Sequence, residues 1–139
     1  MCEVPSHIII MEFVELCKKG DLDKVMAFLA SHPCKDVIHF EAEKPIIAAC
    51  KYGHLNIVMY IYYTCLNNST LGPVDIHALH EGPFRAACSG GHLNIVKWLL
   101  HGIGTKINIH VMKNNAFRLA KIKGRVEVLK YLNEISSTY

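Results

Sequence analysis

The chain has 139 residues, 15 Lys and Arg against 12 Asp and Glu, and an apolar half. That is enough for one domain with a sizeable core, and it excludes a disordered chain. No apolar stretch nears the roughly 20 residues that a bilayer crossing needs, and the start MCEVPSHIII lacks the basic region and long apolar run of a secretory leader. With no C-x-x-C pair among six cysteines, reduced thiols in a cytosol are expected.

Taken in chain order, the predicted elements repeat. The first unit, about 8–31, places Phe13, Leu16 and Cys17 ahead of Gly20, then Leu22, Val25 and Phe28 behind it. The second, about 38–66, opens on Ile38-His39 and the polar turn FEAEK. Pro45 starts a helix with Ile46, Ala49 and Cys50, and Gly53 separates it from Leu55, Val58 and Ile61. CLNNSTLGP at 65–73 reads as an inserted surface loop. The third unit, about 76–101, repeats the order as Ile76-His77, ALHEG, Pro83, Phe84, Ala87, Cys88, Gly91, Leu93, Val96 and Leu99. The fourth, about 109–135, gives Ile109-His110, VMKNN, Ala116, Phe117, Ala120, Gly124, Val126, Leu129 and Leu132, with Lys121 in the cysteine slot. GHLNIV stands letter for letter at 53–58 and 91–96.

Apolar positions three and four apart mark one face of an amphipathic helix. Each glycine is expected to end the first helix of its unit in the left-handed region that only glycine enters cheaply. One helix pair cannot bury its apolar face alone. Stacked pairs can, which explains why the stacking residues are written once per unit.

The stretches PIIAACKYGHLNIVMYIYY (45–63) and PFRAACSGGHLNIVKWLLH (83–101) resemble the ankyrin-repeat family, and the resemblance extends over about nine-tenths of the chain. It implies a fold class: an all-α ankyrin-repeat solenoid of about four helix-turn-helix units forming a single domain over 1–139. It further implies a non-catalytic module that binds a protein partner. The family's Thr-Pro-Leu-His reads KPII at 44–47, GPFR at 82–85 and NAFR at 115–118, so the first helices must be capped by other groups. Ile-His turns with Ala-Phe-Arg helix starts resemble the divergent repeats of amoeba-infecting giant viruses. That likeness implies a host protein as partner, in the host cytoplasm.

If the ankyrin groove of turns and first helices carries over, the residues expected to meet a partner are Phe40, Glu43, Leu79, His80, Met112 and Lys113 at the turns. Lys51, Tyr52, Ile122 and Lys123 join them at the helix ends, just before the glycines. They vary from unit to unit while the core slots do not. Cys17, Cys50 and Cys88 share one small-residue slot and are expected to be buried. Cys34 and Cys65, near loops or helix ends, are expected to be the more reactive thiols. His54 and His92, and the recurring His39, His77 and His110, read as turn residues rather than metal ligands. No nucleophile, metallopeptidase or phosphate-loop motif occurs, and no cofactor, catalytic residue, metal or membrane contact is expected.

Charge leaves alternatives open. Residues 1–46 hold five basic against eight acidic residues, and residues 91–139 hold eight against two. Lys106, Lys113, Arg118, Lys121, Lys123, Arg125 and Lys130 could attract nucleic acid or another anion, although a terminal unit is polar for solubility in any case. An acidic start and a basic end could also stack head to tail, against the expected monomer. A thiol enzyme would show one fast-reacting cysteine.

Overall fold

The computed structural model describes residues 5–138. It is built from α-helices, with no strand among the described residues. The first helices of the units are α1 (His7–Lys19), α4 (Phe40–Tyr52), α6 (Ala78–Gly90) and α8 (Val111–Ile122). The second helices are α2 (Leu22–Ser31), α5 (Leu55–Leu66), α7 (Leu93–His101) and α9 (Val126–Ile135). A single extra turn, α3 (Lys35–Ile38), precedes α4. Two compact bodies result. One holds the residues up to Ala49 with His54–Asp75, and the other holds Cys50–Gly53 with the residues from Ile76 onward. In the first body α2 packs on α1 and α5. In the second, α6 packs on α7 and α8, and α9 packs on α7 and α8.

The repeating slots form the cores. Phe13, Val25, Cys17, Ile46, Ala49, Val58 and Ile61 are fully buried in the first body, as are Cys50, Phe84, Ala87, Cys88, Val96, Leu99, Ala120 and Leu132 in the second. The outermost units bury their slots less completely: Leu16 and Phe28, like Phe117 and Leu129, are half-buried. The loop at 65–73 is anchored rather than merely superficial. Leu71 is buried, and its carbonyl accepts from His39 Nε2 at 2.8 Å.

Each first helix ends at its glycine with positive φ, between 70° and 87° at Gly20, Gly53, Gly91 and Gly124. The residue after the glycine then donates its N–H four residues back past it: His54 to Ala49, His92 to Ala87, and Arg125 to Ala120. This six-residue closure satisfies a carbonyl that the helix end would leave bare.

The side chain after the glycine has a second task. His54 Nε2 donates to Lys18 O at 2.7 Å in the first body. In the second, His92 Nε2 donates to Lys51 O at 2.9 Å and Arg125 Nε to Ser89 O at 2.9 Å. Each of these side chains lies directly over the glycine of the preceding unit. A Cβ added at Gly20 or Gly53 would come within 2.4 or 2.5 Å of the imidazole of His54 or His92. In the first unit Asp21 stands in that slot and caps its own helix by accepting from Lys24 N–H at 3.1 Å.

Gly53→Ala should therefore destabilise the protein more than Gly124→Ala. Both force alanine into the left-handed region, at about 1–2 kcal/mol. Only the first also meets an imidazole, whereas nothing lies within 4 Å of a Cβ at Gly124. Urea unfolding should separate the two variants by about 1 kcal/mol or more.

Candidate protein-binding surface

The turn that opens each of the last three units contains three successive left-handed residues without a glycine: Glu41–Glu43, Leu79–Glu81 and Met112–Asn114. Such residues cost about 1–2 kcal/mol each, so each turn needs several good bonds to persist. A recurring side-chain pair supplies the first. His39 Nδ1 meets Glu43 Oε1 at 2.6 Å, His77 Nδ1 bonds Glu81 Oε1, and His110 Nδ1 meets Asn114 Oδ1 at 2.6 Å. The acid also holds the loop that leads to the next unit. Glu43 Oε1 accepts from Asp75 N–H at 3.4 Å, and Glu81 Oε2 from Asn108 N–H at 2.5 Å. Hydrogen bonds to a charged group contribute about 1.5–3 kcal/mol each, so two of them offset much of the strain.

Arginines two residues into the Pro-Phe-Arg and Ala-Phe-Arg starts do the rest in the second body. Arg85 donates to Leu79 O at 2.7 Å, to His80 O at 2.9 Å and to Asn115 Oδ1 at 3.1 Å; Arg118 donates to Met112 O at 3.1 Å. These groups take over the holding role of the absent threonine and histidine. The right-handed part of α4 begins immediately after Glu43 and that of α6 immediately after Glu81, which puts Pro45 and Pro83 in a first turn, where a missing N–H costs nothing.

This arrangement divides the residues expected at the surface. Leu79, His80, Met112 and Lys113 stand exposed at the turn tips, and Lys51, Tyr52, Ile122 and Lys123 at the helix ends. Phe40 is half-buried, its ring edge-on to His7 at 5.4 Å. Glu43 corrects the sequence reading. It is 6% exposed because its carboxylate turns inward to His39 and Asp75, so it is a structural residue. Arg125, counted in the basic face, serves the contact to Ser89. Lys51, Tyr52, Ser89, Gly90, His92, Lys123 and Arg125 together line a hollow of about 310 Å³ in the second body. A larger hollow, about 560 Å³, lies on α1 in the first body and includes Ile8, Met11, Leu16 and Phe28; none of these residues stood out in the sequence as a surface feature.

The thiols are shut away. Cys17, Cys50 and Cys88 are buried as expected, and burial pushes the Cys17 thiol up to about 12 and drives those of Cys50 and Cys88 upward as well. Cys34 and Cys65 depart from the expectation of reactivity, each being 1% exposed. Burial, then the Glu43 carboxylate, raises the Cys65 thiol to about 11. Cys2 lies outside the described residues. Among the described residues no group of three or more His, Cys, Asp and Glu could hold a metal ion, and no helix is long and apolar enough to cross a membrane.

The family model described as Ankyrin repeats (3 copies) matches residues 13–109, well over half of the chain. The chain belongs to the ankyrin-repeat family. Ankyrin repeats are generally protein–protein interaction modules, and the family is typically non-catalytic. Comparison with curated proteins finds no match.

Two outcomes test this geometry. Glu81→Ala should lower stability by about 2–3 kcal/mol in urea unfolding, and Glu81→Gln should lose less because an amide oxygen still accepts. Alkylation at neutral pH should spare Cys17, Cys34, Cys50, Cys65 and Cys88 until denaturant is added. For Cys17 the unfolded thiol ionises at the ordinary 9.0 and the folded one near 12. Its contribution to stability is thus fully present below pH 9 and is lost as pH rises from there through 12.

Proposed function

We propose that this ankyrin-repeat chain is a non-catalytic adaptor that holds a protein partner along the exposed turn tips and first-helix ends. The observation that carries this reading is the state of four large side chains. Tyr52, Leu79, Met112 and Ile122 are 48%, 55%, 49% and 79% exposed, although the units around them bury every repeating core slot at least in part except those of Lys121 and Val126. The backbone beneath two of them is held by Arg85 and Arg118, so the tips present side chains from a fixed frame. Preorganised apolar residues of this kind bind with little loss of conformational freedom.

The Ile-His turns and Ala-Phe-Arg starts support a source among amoeba-infecting viruses, and with it a host protein in the host cytoplasm as the partner. The contributing residues in the second body are Lys51, Tyr52, Leu79, His80, Met112, Lys113, Ile122 and Lys123; Phe40 is a candidate by itself in the first body, and Glu43 is set aside as structural.

Affinity capture from a host lysate, read by mass spectrometry, tests this with the wild type and a variant carrying serine at Tyr52, Leu79, Met112 and Ile122. The variant should keep its stability to within about 0.5 kcal/mol for each exposed position and lose the partner. Equal capture by both baits would remove this surface from consideration.

A further inference from the structure

Resting on the protein-binding reading above, we propose that the hollow between Lys51 and Lys123 seats a carboxylate, so that the partner presents a peptide segment carrying Asp or Glu. The third unit is built differently from its neighbours at the two positions before the glycine. It has Ser89-Gly90, where the second has Lys51-Tyr52 and the fourth has Ile122-Lys123. Two small residues between bulky pairs leave the hollow of about 310 Å³. Its floor tolerates nothing larger, because a Cβ at Gly90 would stand 2.2 Å from the Lys51 carbonyl oxygen.

The charge of the lining is one-sided. Lys51, Lys123 and Arg125 contribute three cations, and no carboxylate lines the hollow. None of the three pairs with a carboxylate among the described residues. Arg125 is held in place by its Nε–H on Ser89 O, and its terminal nitrogens make no hydrogen bond within the described residues. A guanidinium fixed at one nitrogen and open at the others is suited to a planar carboxylate. Tyr52 lines the same hollow, and Ile122 is next to Lys123 in the chain, so an acidic side chain would find apolar surface for its neighbours. A nucleic-acid backbone needs a run of phosphate contacts. Three cations in one recess beside exposed apolar side chains fit a peptide better.

The test selects random displayed peptides on the full chain, then measures the selected peptides by fluorescence anisotropy. Wild type is compared with Lys51→Glu/Lys123→Glu and with the four-serine variant; Arg125 is left alone because it holds Ser89. Selected peptides should carry Asp or Glu beside apolar residues. Affinity should fall about tenfold or more with the charge reversal, with added salt, and with Gln in place of the peptide's Glu. If the charge-reversed protein fails to fold, Lys51→Gln/Lys123→Gln should show a smaller fall in the same direction, and no fall would overturn the proposal. Peptides without acidic residues that bind the wild type and the charge-reversed protein equally, but not the four-serine variant, would overturn the carboxylate site and leave the adaptor reading standing. Peptides indifferent to the four serines, or no binders at all, would overturn both. Tighter retention of mixed-sequence single-stranded DNA than of any acidic peptide would overturn the choice of occupant.

Discussion

A hydrogen-bond donor laid across a bare glycine is the contact on which the repeat depends. His54 over Gly20, His92 over Gly53 and Arg125 over Gly91 each reach the carbonyl two residues before that glycine. The glycine thus meets two demands at once. Its positive φ ends the first helix, and its missing side chain admits the ring or guanidinium that ties the next unit on. The donor can change from imidazole to guanidinium because the acceptor asks only for an N–H. Asp21 occupies the same slot in the first unit and serves instead as a helix cap.

The left-handed turns are the second constraint, and they create the surface. A turn made of three costly residues persists because the acid at its end is bonded both to its own histidine and to the incoming loop. Turned inward, that acid leaves the preceding two residues to point outward. In the third unit the strain of the turn and the exposure of Leu79 therefore have one cause; the turn of Met112 ends instead on the exposed Asn114, bonded to His110. The same inward pull removes Glu43 from the outer surface and sets it near enough to Cys65 to raise that thiol.

Period made the core readable. Phe13, Ile46 and Phe84, or Val25, Val58 and Val96, recur at fixed distance from a glycine, and burial follows from that distance alone. Side-chain partnerships were harder to see. His39 with Glu43, His77 with Glu81 and His110 with Asn114 are spaced four apart in the sequence, a signal that was present but hidden among residues that read simply as polar turn. Left-handed backbone without glycine carries no mark in composition. Arg85 and Arg125 looked like surface charge because their acceptors are carbonyls, which every residue has. Cys34 and Cys65 sit at a helix start and in a last helical turn, and position along an element says little about which way a thiol faces. The exposed tips were legible for the opposite reason: Tyr52, Leu79, Met112 and Ile122 fall outside the repeating core slots.

The tie between units has a direction. The acceptor carbonyl and the bare glycine always belong to the earlier unit, and the donor to the later one. On the ribosome the chain emerges from its amino end. Each acceptor and its glycine are therefore synthesised before the side chain that will occupy them. In every tie the older part of the chain offers the carbonyl and the younger part brings the N–H.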